Sequence, residues 1–368
     1  MNRSRLHELS EHGVSVWIDS LSREMLETGQ LARLMEEDAV VGVTSNPTIF
    51  QKALAEGDWY DEQLRAAAAG IDDRVELFFA LAQEDIRDAC DLLAPVWERT
   101  NGVDGYVSLE VDPTLAYDRE ATFEQAMRFH RDVEKKNLYV KIPGTEPGLG
   151  AIEDCIAEGR SINVTLIFSL QRYAEVVEAY LRGLERLVGS GGDPTKVASV
   201  ASFFVSRVDT EADRRLDEAG APDDLKGKLA VANAKLAYER YKQLFAGSRW
   251  EALEAKGART QRCLWASTST KNPAYRDVLY VEELIGPATV DTMPEETIDA
   301  FQDHGEVALT LEADVDGAKQ LFERIAEAGV DYDDVVVTLE QEGVEKFADS
   351  FRELLDGVKA KRGELVSA

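Results

Sequence analysis

A lysine, Lys141, stands inside the apolar sequence LYVKIPGT at residues 138–145. The stretch is typical of a short β-strand ended by Pro-Gly, and alternation places Lys141 on the face opposite its two immediate neighbours. In a parallel sheet helices cover both faces, so the lysine would be buried, and burial can lower a lysine pKa by roughly 3–5 units. A neutral amine attacks carbonyl carbons to form a Schiff base. The stretch therefore predicts a nucleophile, with a surface lysine on an edge strand and a structural ion pair as alternatives.

Acidic and hydrogen-bonding side chains lie at the ends of the other early predicted strands. Catalytic groups in barrel enzymes come from the carboxyl ends of several strands, where they share one pocket. We therefore predict that these residues surround Lys141. They are Asp19 after the first strand, Thr44 and Asn46 after the second, and Ser108 with Glu110 on one face of the third.

Residues 161–166 alternate between polar and aliphatic side chains. Ser161, Asn163 and Thr165 share one face of the predicted strand. The outer face of a barrel meets apolar helices, so the polar face is expected to point into the lumen, where unpartnered polar groups would cost kilocalories each. The pattern fits a hydrogen-bonded plug or a catalytic pocket. A lysine and two acids at the same end favour the pocket.

Two cations follow the later predicted strands. Arg207 lies just beyond the sixth strand and Lys271 beyond the seventh. Phosphate sites in barrels are commonly built by late loops, and arginine suits bidentate phosphate binding. Each cation alone is explained as well by a solvated surface charge, but their shared position predicts an anion site.

Eight short strands alternate with helical segments along the first 295 residues. The predicted strands are 14–19, 40–44, 106–111, 138–142, 161–166, 196–203, 262–267 and 288–292. This alternation indicates parallel β/α units, and eight units in this length favour a closed (β/α)8 TIM barrel. An open doubly wound sheet is the alternative, but no GxGxxG sequence follows the first strand.

Additional helices are predicted around this barrel. They include 22–37, 51–69 and 73–99. Beyond the barrel, residues 296–368 are predicted to form a helical C-terminal extension, interrupted at 332–337 and packed on the barrel. We therefore divide the chain into a barrel of residues 1–295 and this extension.

The composition excludes several classes of function. The net charge of the 368 residues is −29, too acidic for a protein that binds nucleic acid or an anionic membrane. An anionic substrate would therefore need a local cluster of cations. No apolar h-region begins the chain, and no run of about 18 apolar residues occurs in it. Neither a membrane nor a nucleic-acid partner is expected.

The cysteines and histidines indicate a cytoplasmic protein without a metal. Cys90, Cys155 and Cys263 form no CxxC pair, which predicts reduced thiols in the cytosol. The four histidines are scattered and make no HExxH-like pattern. We expect no metal site and no cofactor, and the protein is expected to be a monomer or a homodimer.

Together, the motifs on successive strands resemble those of the transaldolase family. The matching segments are WID at 17–19, TSNP at 44–47, VSLEVD at 107–112, VKIP at 140–143, INVTLIFS at 162–169, SFFVSR at 202–207 and AS at 266–267. Any one motif is weak, but their order over residues 14 to 292 is specific. The chain length and the KIPGT sequence are similar to those of a bacterial subfamily with a helical C-terminal extension.

The resemblance implies a cofactor-free Schiff-base reaction of the pentose phosphate pathway. A dihydroxyacetone unit would pass from sedoheptulose 7-phosphate to D-glyceraldehyde 3-phosphate, giving erythrose 4-phosphate and fructose 6-phosphate. Lys141 would attack the ketose carbonyl. Glu110, through a water held by Thr165, would shuttle protons, and Asp19 would take the proton of the C4 hydroxyl.

The resemblance also implies a set of substrate-binding residues. Asn46, Asn163 and Ser202 would hydrogen-bond the three-carbon fragment, and Arg207 with Ser267 would hold the distal phosphate. Ser269 stands where the family often has an arginine, so Lys271 is predicted to supply the missing charge. The sequence also departs from the family at Phe203, where a proline is common, and at Ser206, where a glycine is common. These two departures put the shape of the loop after the sixth strand in question. The predicted binding set is Thr44, Asn46, Asn163, Ser202, Arg207, Ser267 and Lys271.

Two alternatives to a transaldolase are compatible with the sequence. One is a class I aldolase of the fructose-6-phosphate type, which would use the same lysine and release free dihydroxyacetone. The other is a catalytically silent barrel that binds sugar phosphates. A silent barrel would be expected to lack part of the lysine–acid set, whereas Lys141, Glu110 and Asp19 are all present.

Overall fold

A computed structural model describes residues 4–55 and 57–367, and eight parallel strands close into a barrel in chain order. The first strand pairs with the last, Val14 opposite Thr289 and Ile18 opposite Met293. The predicted (β/α)8 barrel is confirmed. The strands are β1 Val14–Ile18, β2 Val40–Val43, β3 Tyr106–Glu110, β4 Leu138–Pro143, β5 Ile162–Ile167, β6 Ser199–Phe204, β7 Arg262–Ala266 and β8 Thr289–Met293.

Helices surround the barrel and follow its strands. They are α1 Arg5–Glu11, α2 Arg23–Glu27, α3 Gln30–Glu37, α4 Pro47–Ala55, α5 Asp61–Ala68, α6 Arg74–Arg99, α7 Arg119–Val133, α8 Glu146–Ala157, α9 Leu170–Gly189, α10 Ser206–Glu218, α11 Leu229–Leu244, α12 Ser248–Glu254, α13 Leu279–Glu283, α14 Glu295–His304, α15 Val315–Glu327 and α16 Tyr332–Ser367. None of the helices in the described part of the chain has the length and apolarity required to cross a membrane.

Three helical predictions are wrong in detail. The predicted helix 22–37 is two helices, because Gly29 has a φ of 73°, which ends α2 and starts α3. The predicted helix 51–69 is also two, α4 and α5. The predicted interruption at 332–337 does not occur: these residues are the first turns of α16.

Polar residues at the ends of strands start the helices that follow. Thr145, two residues after β4, accepts a hydrogen bond from Gly148 N at 3.1 Å, and Ser169, two residues after β5, accepts one from Arg172 N at 2.9 Å. Such caps satisfy N–H groups that the helix itself leaves free. Each cap therefore fixes where the chain turns back from the mouth of the barrel.

Aromatic rings fill the lumen below Lys141. Trp17 and Tyr139 are fully buried with ring centroids 6.0 Å apart, and Tyr139 stacks on Tyr106 at 4.1 Å. A Cβ at Gly42 would lie 2.4 Å from the Trp17 ring, so the absence of a side chain there lets the indole enter. The lower lumen is thus a packed core, and polar groups are displaced towards the carboxyl ends of the strands.

The last helix, α16, packs on the barrel through an aromatic face. The Phe351 ring lies 5.6 Å from Phe78 of α6, and the Phe347 ring lies 6.4 Å from Phe204 of β6. At its start, Tyr332 donates a hydrogen bond to Asn233 Oδ1 at 2.7 Å. The division of the chain at residue 295 stays a prediction.

Candidate active site

A cavity of about 660 Å³ opens at the carboxyl ends of the strands. Nine of the eleven predicted site residues line it, and the other two, Glu110 and Asn163, lie beside it. The nine are Asp19, Thr44, Asn46, Lys141, Thr165, Ser202, Arg207, Ser267 and Lys271. The barrel thus brings together residues that are up to 252 positions apart, from Asp19 to Lys271.

Strand register places Lys141 between Glu110 and Asn163. The Cα of Lys141 is opposite Glu110 on β3 and opposite Asn163 on β5. Its Nζ lies 3.2 Å from Glu110 Oε2 and donates to the carbonyl of Ser45 at 3.2 Å. The residue is 5% exposed, so its predicted burial is confirmed and an edge-strand position is excluded. The ion pair considered as an alternative is also present, directly beside the cavity.

Glu110 is a buried carboxyl with few partners. Burial raises its pKa, and the neighbouring Lys141 opposes that rise. Among the described residues, the Glu110 carboxylate oxygens have no polar partner other than the ammonium of Lys141 at 3.2 Å, and Thr165 Oγ1 has no hydrogen-bond partner. Buried polar atoms of this kind are usually satisfied, so they mark a place where a bound molecule can be hydrogen-bonded.

Asp19 faces the cavity from the end of β1. Thr44 Oγ1 donates a hydrogen bond to Asp19 Oδ1 at 2.8 Å and lies 2.7 Å from Thr292 Oγ1. Burial raises the pKa of Asp19, whereas the charge of Lys141 and the Thr44 hydrogen bond lower it. Thr292, at the end of β8, was missed by sequence reasoning, although it occupies a strand end like the other residues.

Asn163 belongs to a hydrogen-bonded layer beside the cavity. Ser202 donates to its Oδ1 at 2.6 Å, and its Nδ2 donates to Ser108 Oγ at 3.1 Å. The polar face predicted for β5 is therefore lumenal at Asn163 and Thr165. Alternation ends there, because Leu166 has a φ of 59° and the pairing with β6 shifts register between Val164 and Ile167.

Asn46 starts helix α4 and also lines the cavity. Its Oδ1 accepts a hydrogen bond from Ile49 N at 3.1 Å, the usual role of an asparagine that caps a helix. Pro47 at the first helical position suits this start. The cap occupies the amide oxygen and fixes the side chain, so that its Nδ2 can donate to another group.

Cations and hydroxyls form the outer end of the cavity. The Arg207 guanidinium lies over the Phe204 ring at 5.2 Å, where burial lowers its pKa. Ser267, with a φ of 58°, has its hydroxyl 3.0 Å from that of Ser206. Lys271 donates to Ser269 Oγ at 2.8 Å. The predicted cations are therefore brought to one end of the same cavity.

Sequence reasoning missed the contribution of α16. The Phe347 ring lies 5.7 Å from Lys141 Nζ and 5.8 Å from the Arg207 guanidinium. Other cavity residues from this helix are Leu339, Glu342, Gly343 and Lys346. The available signal was Gly343, since a glycine inside a helix is costly unless close packing requires it.

The arrangement suits chemistry on a phosphorylated carbonyl compound. It combines a buried amine, two carboxyls and several hydroxyls with cations at the far end of the cavity. Residues 4–55 and 57–367 contain no group of three or more His, Cys, Asp or Glu side chains arranged to hold a metal ion. That the protein needs no cofactor stays a prediction.

Comparison with known proteins gives one consistent family. Residues 16–358 match the family model described as Transaldolase/Fructose-6-phosphate aldolase. The chain is 52% identical over 361 residues to a transaldolase of Frankia alni, covering 97% of both chains. It is 53% identical over 355 residues to a transaldolase of Acidothermus cellulolyticus, covering 96% of this chain and 95% of the relative. A Mycobacterium tuberculosis transaldolase is 50% identical over 359 residues, 96% of each chain.

Proposed function

The chain belongs to the transaldolase/fructose-6-phosphate aldolase family, and we propose that it transfers a dihydroxyacetone unit from sedoheptulose 7-phosphate to D-glyceraldehyde 3-phosphate. The products would be erythrose 4-phosphate and fructose 6-phosphate, as in the pentose phosphate pathway. The observation that carries the proposal is the buried Lys141–Glu110 pair at 3.2 Å, beside a cavity that also holds Asp19 and ends in cations.

The first step is attack of Lys141 Nζ on the ketose carbonyl carbon, which requires the neutral amine. Glu110 is positioned to hold the proton that Nζ releases, because its Oε2 lies 3.2 Å away. The carbinolamine hydroxyl then receives a proton and leaves as water, and an iminium forms. Among the described residues, Thr165 Oγ1 and Glu110 Oε1 have no hydrogen-bond partner, which suits a water relay between them.

Carbon–carbon cleavage follows on the iminium. Asp19 removes the proton of the C4 hydroxyl, and the C3–C4 bond breaks. The electron pair of that bond moves towards the iminium, which gives an enamine on Lys141. The aldose phosphate leaves and the acceptor aldehyde enters. The enamine carbon attacks that aldehyde, protonated Asp19 returns the proton to the new hydroxyl, and water releases the product from Lys141.

Binding groups surround the fragment that stays on the lysine. Asn46 can donate through Nδ2, since helix α4 uses its Oδ1. Ser202 Oγ lines the cavity and is oriented by Asn163 at 2.6 Å. Thr44 orients Asp19. The phosphate of donor or acceptor would lie at the outer end, between Arg207, Ser267 and Lys271.

Trapping with borohydride tests the shared lysine chemistry. Incubation with fructose 6-phosphate followed by reduction is expected to leave a covalent adduct on Lys141, mapped by mass spectrometry. An unmodified Lys141 would contradict both the transaldolase and the aldolase. It would leave a silent barrel that binds sugar phosphates.

A transaldolase and an aldolase differ in how the three-carbon fragment leaves Lys141. A transaldolase hands the fragment to an aldose phosphate, whereas an aldolase protonates it and releases dihydroxyacetone. The second possibility is kept because the matched family model includes both activities in its description. Formation of sedoheptulose 7-phosphate from fructose 6-phosphate and erythrose 4-phosphate is expected. Release of free dihydroxyacetone as the main product would favour the lyase.

A cytoplasmic location is part of the same proposal. Cys90, Cys155 and Cys263 are buried and unpaired, which agrees with a reducing compartment. That the protein is a monomer or a homodimer stays a prediction.

A further inference from the structure

Four cations that line the cavity lack ion pairs. They are Lys52 of α4, Arg207 of α10, Lys271 of the loop after β7 and Lys346 of α16. Within the described ranges each lies more than 4.0 Å from any carboxylate oxygen, as exposed lysines such as Lys359 also do, but these four cations line one cavity. In a chain of net charge −29, a group of unpaired cations around one cavity indicates that an anion binds there.

Three of these cations share one end of the cavity. The Phe347 ring lies 5.8 Å from the Arg207 guanidinium. Lys346 directly precedes Phe347 in the chain. Burial lowers the pKa of Lys271, Glu296 opposes this, and the positive charges of Arg207 and Lys346 lower the pKa further. Lys346 lines the same cavity as Arg207, Ser267 and Lys271, so it lies beside the predicted phosphate site.

The carboxylates near this end leave Lys346 available. Glu342 precedes Lys346 by four residues on α16, a spacing at which helical ion pairs form, but among the ion pairs of the described residues these two side chains form none. Glu211, which also lines the cavity, is held by Arg214 and Arg215. Neither carboxylate forms an ion pair with Lys346, and the charge of Glu342 acts on Arg207, where it opposes the lowering of the pKa by burial.

We propose that Lys346 is a phosphate-binding residue of this site, so that the C-terminal helix completes the anion subsite formed by Arg207 and Lys271. The inference rests on the proposed function, since it assigns the phosphate of that substrate. It also explains how a site with Ser269 in place of an arginine gathers sufficient positive charge. Close packing of α16 at Gly343, where a Cβ would lie 3.1 Å from the Leu166 side chain, brings Lys346 to the cavity.

The test replaces Lys346 by methionine, which keeps the apolar stem and removes the charge. We expect the KM for fructose 6-phosphate to rise about tenfold. The Kd for inorganic phosphate, measured by calorimetry at low ionic strength, is expected to rise by about the same factor. The expected kcat stays within about twofold, because Lys346 takes no part in bond making. Lys346→Arg is expected to restore most of the affinity.

Lys359→Met is the matched control. Lys359 is an exposed lysine of the same helix that does not line the cavity, so its loss changes net charge equally. Unchanged phosphate affinity in Lys346→Met, or equal losses in both variants, would overturn the inference. Borohydride trapping on Lys141 is scored separately, so that failure of the Schiff-base proposal is distinguished from failure of the phosphate assignment.

Discussion

Lys141 Nζ and Glu110 Oε2 lie 3.2 Å apart on neighbouring strands whose Cα atoms are paired in register. The pair is therefore positioned by the barrel backbone rather than by a loop. Both side chains are about 95% buried, so each is the principal compensation for the charge of the other. A substitution that keeps the positive charge should consequently preserve the fold while changing the chemistry.

Lys141→Arg is expected to abolish turnover while leaving the fold intact. Arginine stays protonated and forms no imine, but it can still pair with Glu110. Activity is measured by sedoheptulose 7-phosphate formation, and folding by thermal unfolding. Turnover above a small fraction of the wild-type rate in the purified variant would show that Lys141 is not the nucleophile.

Thr44→Val is expected to move the acid limb of the pH profile of kcat/KM to higher pH. In the proposed mechanism Asp19 acts as a base, so activity should be lost as the pH falls through its pKa, which burial has already raised. The Thr44 hydrogen bond at 2.8 Å favours the ionised form, and losing about 1 kcal/mol of it corresponds to a shift of roughly 0.7 units. An acid limb that stays in place or moves to lower pH would contradict the role of Asp19.

The position of Lys141, Glu110 and Asp19 at one end of the barrel could be predicted because the period of two along a strand is unambiguous. That period puts Lys141 on the lumenal face, and strand order brings Asp19 and Glu110 to the same end. It does not reveal which lumenal residues reach the cavity. Asn163 hydrogen-bonds to Ser108 and Ser202 and does not line the cavity. Such hydrogen bonds depend on the geometry of side chains on neighbouring strands.

The contribution of α16 could not be predicted in the same way. Helical periodicity shows that a helix has an apolar face, but not which part of the barrel it covers. Phe347 lies 206 positions after Lys141 in the chain, yet its ring is 5.7 Å from Lys141 Nζ. The interruption predicted at residues 332–337 failed for a related reason. A β-branched run adopts helix when tertiary packing favours it, as it does at the start of α16.

Asp291→Asn is expected to stabilise the protein more at pH 8 than at pH 5. Asp291 of β8 is buried, and burial raises its pKa to about 7, although Thr268 donates to its Oδ1 at 3.0 Å. The unfolded carboxyl titrates near 3.9, so the native state holds a proton that the unfolded chain releases, and stability falls as pH rises from about 4 to 7. Asparagine does not ionise, and the gain in free energy of unfolding is roughly 1–4 kcal/mol at pH 8. Equal effects in denaturant titrations at both pH values would refute the assignment.

Gly343→Leu and Gly357→Leu compare two glycines of the same helix. A Cβ at Gly343 would lie 3.1 Å from Leu166 Cδ2 and 3.5 Å from the Phe168 ring, so a larger side chain must push α16 away from β5. That displacement also moves Phe347 and Lys346 relative to Lys141. We expect kcat/KM to fall by at least tenfold, because displacements of about 1 Å at a catalytic site can cost about a hundredfold.

Gly357 provides the matched control because it is exposed and a Cβ there would meet no atom within 4 Å. Leucine has a higher helix propensity than glycine, so Gly357→Leu should stabilise the protein by up to about 1 kcal/mol and leave kcat/KM unchanged. Both variants make the same chemical change in the same helix, so a difference in activity between them reports the contact of α16 with β5. If Gly343→Leu retains full activity, the helix is not part of the catalytic site. If instead both variants lose activity equally, the loss follows from a general property of the helix rather than from the position of Gly343.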